Sequence, residues 1–315
     1  MSRPGAHRIV SLLPATTDTL VALGCEELLV GCSHECDTTD YIEQLPACTE
    51  PKFAPFGSSR QIDQRVSELI GEGLSVYRVD EDVLRELNPD LIITQDHCEV
   101  CAAPLDEVRQ AVTTSVGSGC RVLSVSPNRL DEVWDSIRQV GNALQIEAKA
   151  DELVRSIESR MQKLQATFSD RKPVNIATIE WIDPLMTAGN WTPELITAAG
   201  GKDVLADEGA QSHKITLDQL SAANPDFILV IPCGFPLETT REEMPVLAED
   251  PQWQQLKAVQ QNKVALADGN KFFNRPGPFL VDSAEIVAEI LHPDLMGQTH
   301  YQNGNWEWWN PGPEE

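Results

Sequence analysis

Two short segments carry imidazole and thiol groups in close order. Ser33-His34-Glu35-Cys36-Asp37 places a histidine and a cysteine two residues apart. Asp96-His97-Cys98-Glu99-Val100-Cys101 adds a second histidine and a Cys-x-x-Cys pair. Thiolate and imidazole are the ligands that a tetrahedral zinc or iron ion prefers, so His34, Cys36, Cys98 and Cys101 could together hold one. Other uses of the same residues stay open. Neutral cysteines pack well in a core or a cleft wall. Cys98 and Cys101 could be a redox dithiol, or Cys98 the nucleophile of a thiol-dependent enzyme. His34 could reach a metal centre carried by a ligand, or simply bond a neighbouring carboxylate such as Asp37.

A second group lies in the other half of the chain. Trp181, Trp191, Phe235, Phe272 and Phe273 could make a flat apolar wall for a large planar ligand. Adjacent residues at a strand end point opposite ways, so Phe272 and Phe273 could each be ordinary core residues. Asn274 and Arg275 precede Pro276 and Pro278, and Arg275 on so stiff a loop could hold a carboxylate or an amide.

The elements that must position these groups are announced by a repeated unit. Asp82-Val-Leu84-Arg-Glu-Leu87-Asn88-Pro89-Asp90 leads into Leu91-Ile92-Ile93. Asp218-Gln-Leu220-Ser-Ala-Ala-Asn224-Pro225-Asp226 leads into Phe227-Ile228-Leu229-Val230-Ile231. Each copy reads as a short helix, a turn where proline forbids further helix, and a strand covered on both faces. Asp82 and Asp218 stand at matching places. Aspartate is a favoured helix N-cap, and a matched pair of surface acids could also dock a symmetric partner.

Strands alternating with helices predict parallel sheets covered on both sides. The chain divides into an N-terminal α/β lobe (1–145), a linker helix (146–170), a C-terminal α/β lobe (171–292) and an irregular Trp-rich tail (293–315). The linker rests on an apolar stripe of Ala150, Leu153, Val154, Ile157, Met161, Leu164 and Phe168. It predicts a helix from about Glu147 to Phe168, roughly 33 Å long, stiff enough to act as a strut. Ligands of open parallel sheets bind beyond the carboxyl ends of the strands. The loops carrying His34, Glu35 and Cys36, His97 and Cys98, Trp181, Phe235, and Phe273 to Arg275 all follow predicted strands, and are expected to line one cleft between two lobes.

Composition narrows the function classes. The 315 residues carry 49 acids against 24 bases, a net charge of −25. Nucleic acid needs a basic face, so it is disfavoured as a partner, as are anionic membrane surfaces. No apolar run approaches the roughly 20 residues of a membrane-spanning helix. The chain opens almost directly on the strand Ile9–Leu13 with no leader pattern, which suggests a cytoplasmic protein as given, or a periplasmic one if a leader was removed. No phosphate loop, Rossmann glycine fingerprint, nucleophile elbow or two-histidine protease motif occurs, so an enzyme is not expected.

These features together resemble a known family. The two lobes, the single helix between them, the repeated helix-turn-strand unit and the opening Arg8-Ile9-Val10-Ser11-Leu12 are similar to the helical-backbone substrate-binding proteins of ABC importers. Ser33-His34-Glu35-Cys36-Asp37, Ile62-Asp63 through Gly73-Leu74-Ser75-Val76-Tyr77, Thr94-Gln95 with Cys98-x-Val100-Cys101-Ala102, and Arg275-Pro276-Gly277-Pro278 resemble the cobalamin-binding branch. The resemblance covers about residues 8–293. It implies the class III fold, in which two Rossmann-like lobes are joined by one long helix, and a non-enzymatic role in transport, storage or sensing of cobalamin or a related corrinoid. It implies that Asp82 and Asp218 meet an ABC permease. Without export, a cytoplasmic acceptor fits better. The alternative is a protein for a metal ion or chelate (zinc, iron, haem or siderophore) using the His/Cys cluster.

Overall fold

The structure, a computed structural model, describes residues 8–96, 103–296 and 300–310. The chain forms two compact units. The first takes Met1–Gly57, Gln64–Pro127 and Asp131–Ser156, and the second takes Ser58–Asp63, Asn128–Leu130 and Ile157–Glu315.

In the first unit the described strands are β1 (Ile9–Ser11), β2 (Leu29–Cys32), β3 (Thr49–Pro51), β4 (Tyr77–Val79), β5 (Leu91–Thr94) and β6 (Arg121–Ser124). Four of them make a parallel sheet in the order β2-β1-β5-β6. Ile9, Val10, Leu91, Ile92 and Ile93 are almost wholly buried, as continuous apolar runs in a sheet covered on both faces require. β3 and β4 stand apart from that sheet and pair with each other, antiparallel. Tyr77, Arg78 and Val79 are half-buried to exposed, so β4 lacks the two-sided burial of a central strand.

The repeated unit explains how each helix hands over to a strand. Helix Glu81–Leu87 begins at Asp80, whose carboxylate accepts from the backbone N–H groups of Asp82 and Val83. Helix Leu217–Ala223 begins at Thr216, in a reciprocal capping box with Gln219. The caps are therefore Asp80 and Thr216, whereas Asp82 and Asp218 sit exposed in the first helical turn. Both helices end at an asparagine in left-handed backbone, Asn88 (φ 42°) and Asn224 (φ 45°). Asparagine tolerates that conformation better than most residues, and the proline behind it prevents another helical turn. Asp90 N–H then donates to Arg8 carbonyl, and Asp226 N–H to Asn175 carbonyl, both at 2.8 Å. Leu84 and Leu220, at equivalent places, are fully buried and anchor the two helices.

The second unit holds β7 (Val174–Trp181), β8 (Met186–Thr187), β9 (Gly201–Asp203), β10 (His213–Lys214), β11 (Phe227–Val230), β12 (Val264–Ala267) and β13 (Trp306–Trp308). Their order is β10-β8-β7-β11-β12-β13, with β9 also on β7. The pairs of β7 with β9 and β11, and of β11 with β12, are parallel, while β8, β10 and β13 join antiparallel. Helix Leu280–Leu291 lies deep in this unit, with ten of its residues buried.

The predicted apolar stripe lies on helix Glu147–Phe168, with Ala150, Val154, Ile157, Met161, Leu164 and Phe168 buried. Near its start it presses on helix Leu130–Ala143 at Gly141, where an added Cβ would lie 2.3 Å from that of Ala150. Only glycine permits that approach.

The tail departs from the irregular strap expected of it. Pro293–Met296 and Gln302–Asn305 are helical turns, and β13 adds an outer strand to β12. The cause lies in Glu289, a carboxylate buried in helix Leu280–Leu291. It accepts from Trp306 Nε1 at 2.9 Å and from the backbone N–H groups of His300 and Tyr301. The Tyr301 hydroxyl donates to Asp282 and Glu285, which also receive Arg160. An acid hidden inside a largely apolar helix gave no local sign of this partnership.

Two outcomes are expected in denaturant melts. Leu84→Ala and Leu220→Ala each lower stability by about 2–5 kcal/mol, while Asp82→Ala and Asp218→Ala stay within about 0.5 kcal/mol. Trp306→Ala costs about 3–5 kcal/mol, because it empties a buried niche and strips Glu289 of a donor.

Candidate functional site

The first unit gathers hydroxyl, thiol and imidazole groups at the carboxyl ends of its parallel strands. Beyond β2 the chain turns at once, with Ser33 N–H donating to Ser11 carbonyl (2.8 Å) and Cys36 N–H to Ser33 carbonyl (3.1 Å). His34 stands on this turn. Its Nδ1 lies 2.9 Å from Thr49 Oγ1, and its backbone N–H points at the same oxygen. The Thr49 hydroxyl donates its own hydrogen to Ser33 Oγ at 3.0 Å. Thr49 is therefore an acceptor toward the ring, Nδ1 carries the proton, and Nε2 keeps its lone pair. The ring tilts against Tyr77 at 5.2 Å between centroids, and the Tyr77 hydroxyl donates to Glu35 at 2.9 Å. His34 is exposed at one edge. The protein around the rest of it desolvates the charged form and lowers its pKa, against a hydrogen bond to Thr49 that opposes the shift. The imidazole is thus neutral at pH 7.

Cys36 turns the other way. It is buried, and its sulfur lies 3.1 Å from Thr17 Oγ1. The neighbouring Cys32 thiol and burial hold the Cys36 thiol well above its ordinary pKa, so it stays a neutral thiol. Behind it, Ser11, Thr16 and Thr17 form a buried chain of hydroxyls, with Ser11 and Thr16 oxygens 2.6 Å apart. His97, Cys98 and Cys101 lie outside the described residues, and with them half of the metal set. Among the described residues no group of three or more His, Cys, Asp and Glu side chains is placed to hold a metal ion.

The second unit presents a different chemistry at the ends of its strands. β7 ends on Glu180 and Trp181. Trp181 and Phe235 meet at 5.2 Å between centroids with a 55° tilt. The indole N–H of Trp181 donates to the carbonyls of Asp183 and Ser59. Trp191 and Phe273, expected on the same wall, form a buried pair instead, with Trp191 Nε1 donating to the Phe273 carbonyl at 2.8 Å. Phe272 is buried as well. Asn274 does not face outward. Its amide donates to the carbonyls of Ile231 (3.1 Å) and Gly269 (2.9 Å), tying the loop after β12 to that after β11. The loops touch so closely that a Cβ at Gly269 would lie 2.2 Å from Pro232 carbonyl. Arg275 is 6% exposed and donates to Asn270 Oδ1 at 3.1 Å.

Glu180 is the group that sequence reasoning passed over. Its Oε1 accepts from Ser212 Oγ at 2.9 Å. Burial pushes its carboxyl up to about 7, against the opposing hydrogen bonds from Ser212 and Gly189. Its place directly before Trp181, at the end of a strand, was the signal available. Thr49 and Ser33, which orient His34, had none, because they meet only through the bridge of Cys32 with Ala47 and the turn after β2.

Two α/β units of this topology, divided along the chain within helix Glu147–Phe168, define the class III periplasmic binding protein fold. The chain belongs to the periplasmic binding protein family, whose pattern matches residues 9–270. It is 26% identical over 296 residues to an uncharacterized ABC transporter substrate-binding lipoprotein of Bacillus subtilis, covering 92% of this chain and 81% of that protein. It is 22% identical over 292 residues to the vitamin B12-binding protein of Vibrio cholerae, covering 91% and 89%. The periplasmic heme-binding protein of Vibrio cholerae has a similar structure, with a TM-score of 0.69 at 20% identity over 92% of this chain and all of that one. No helix among the described residues is long and apolar enough to cross a membrane.

The Glu180 carboxyl sets a pH dependence. Its folded-state pKa lies above the ordinary 4.5, so the folded protein holds this proton longer than the unfolded chain. Stability conferred by the protonated form is present below pH 4.5 and is lost as pH rises to about 7. The melting temperature of the wild type minus that of Glu180→Gln is expected to fall across that window and to level off above it.

Proposed function

We propose that the protein binds a metal-centred macrocycle, cobalamin or a related corrinoid, and delivers it to the permease of an ABC importer. The observation that carries this reading is the His34 imidazole, neutral, oriented by Thr49 and Ser33, with Nε2 left as a lone-pair donor. Such a nitrogen suits the axial position of cobalt. The aromatic pair Trp181 and Phe235 offers a surface on which a flat ligand can stack. A relative that binds vitamin B12, aligned over nine-tenths of this chain, supports the ligand class.

A haem is the second reading, because its iron accepts the same nitrogen and a haem-binding protein shares the fold. Glu35, His97, Cys98 and Arg275 remain candidates for contacts to the ligand rim. Asp82 and Asp218, exposed in the first turn of the repeated helices, are proposed as the acids that meet the permease. The extracytoplasmic face of the membrane is the proposed place of action, in keeping with the lipoprotein relative.

Titration with hydroxocobalamin is expected to shift the visible spectrum and raise the melting temperature. At one hundred times the dissociation constant, binding adds about 2.7 kcal/mol of stability. His34→Ala is expected to abolish the spectral shift and weaken binding. A response to hemin and none to hydroxocobalamin would select the second reading. Silence toward both, or stoichiometric zinc in the purified protein that Cys98→Ser removes, would overturn the proposal.

A further inference from the structure

We propose that Glu243 is a positioning residue: by anchoring Ser59 it fixes the indole of Trp181 in one plane, and so presets the aromatic surface of the second unit for a flat ligand. That a ligand stacks there rests on the reading above; the hold on the indole does not.

Every group involved belongs to the second unit. The indole N–H of Trp181 is shared between two carbonyls, those of Asp183 at 3.1 Å and Ser59 at 3.2 Å. Indole is a donor only. With its one hydrogen committed, the ring offers a ligand its faces and its apolar edge, and the two carbonyls decide where those point. Asp183 stands two residues from Trp181 on the same turn and moves with it. Ser59 lies 122 residues away along the chain and is the outside reference against which the ring is set.

Ser59 is fully buried at the start of helix Ser59–Gly71. Ser58 and Gln61 close a reciprocal cap there, with Ser58 N–H donating to Gln61 Oε1 (3.1 Å) and Gln61 N–H to Ser58 Oγ (3.4 Å). The N–H of Ser59 is left among the donors of the first turn that the helix itself does not satisfy. Glu243 Oε1 takes it at 2.8 Å, and accepts from Ser59 Oγ at 2.6 Å as well. Two charge-assisted bonds to one oxygen hold the residue firmly. Arg60 Nε donates to Asp183 Oδ2 at 2.7 Å, a further tie between the same two segments, but its guanidinium is largely exposed and contributes little.

Glu243 is the last residue of helix Leu237–Glu243, and Phe235 stands just before that helix begins. Phe235 is the aromatic partner of Trp181. One short helix, roughly 10 Å long at 1.5 Å per residue, therefore sets both neighbours of the indole: the phenyl ring directly, and the distant carbonyl through Ser59.

The test uses the full chain, isotope-labelled for NMR. The Trp181 indole N–H resonance, assigned with Trp181→Phe, is expected to shift and to exchange faster with water in Glu243→Ala. In Glu243→Gln it is expected to stay near its wild-type position, because an amide oxygen can accept both bonds. Arg241→Ala, which removes an ion pair to Glu307 from the same helix, is expected to leave it in place. Should Glu243→Ala fail to fold, Ser59→Ala removes one of the two bonds and is expected to move the resonance the same way by a smaller step. A resonance that stays put in both alanine variants, or that moves as far in Glu243→Gln or Arg241→Ala, would overturn the proposal. Titrated with hydroxocobalamin, Glu243→Ala is expected to bind about three- to tenfold more weakly than the wild type, the loss of one well-placed aromatic contact, and Glu243→Gln to bind as the wild type does. Equal affinity in all three would overturn the role in ligand binding. The resonance is read without ligand, so a wild type that does not bind hydroxocobalamin counts against the ligand assignment alone.

Discussion

One asparagine per unit, held in left-handed backbone and followed by proline, fixes where helix stops and strand begins. At Asn88 and Asn224 the chain reverses and cannot slip, because a shift of one residue would put proline where a helical N–H is needed. The aspartate after the proline then bonds to the neighbouring strand in the same way in both units. Strand register follows from that corner, and a register error of one residue would turn every buried side chain of β5 or β11 to the opposite face. The functional loops leave the far ends of these sheets, so their placement depends on corners that carry no chemistry of their own.

The two units use these loops differently. The first surrounds its imidazole with hydroxyls. A carboxylate partner would stabilise the imidazolium and raise its pKa, whereas a threonine oxygen fixes the tautomer and leaves the ring neutral. A neutral ring is the form that can coordinate a metal at pH 7. The second unit sets a protonatable carboxyl, Glu180, beside an aromatic pair. Its loops are tied to one another through the Asn274 amide and the close approach at Gly269. The polar groups of that region mostly hold backbone in place, and the surface left for a ligand is aromatic.

Much of the architecture was legible because it depends on local chemistry. The Asn-Pro-Asp corners, the apolar stripe of helix Glu147–Phe168 and the branched runs of β1, β5 and β11 each announce themselves within about a dozen residues. The site was legible in outline only. Strand ends picked out His34, Cys36 and Trp181, but the direction each side chain takes depends on partners far along the chain. Cys36 turns inward to meet Thr17, and His34 is oriented by Thr49, fifteen residues away. Trp191 and Phe273 read as a ligand wall because burial is invisible in a tryptophan or phenylalanine taken alone. The tail misled for a related reason: its tryptophans lie among Asn, Gly and Pro, and the carboxylate that captures one of them sits in another helix.

The strand that the tail contributes has a bearing on solubility. A parallel strand such as β12, left uncovered, would present a row of unsatisfied amide and carbonyl groups able to recruit a strand from another molecule. β13 occupies that row over Ala265, Leu266 and Ala267 and is itself only three residues long, with Glu307 held by Arg241. Proteolytic trimming of the C-terminus would therefore do more than weaken the fold. It would uncover a sticky seam and favour self-association.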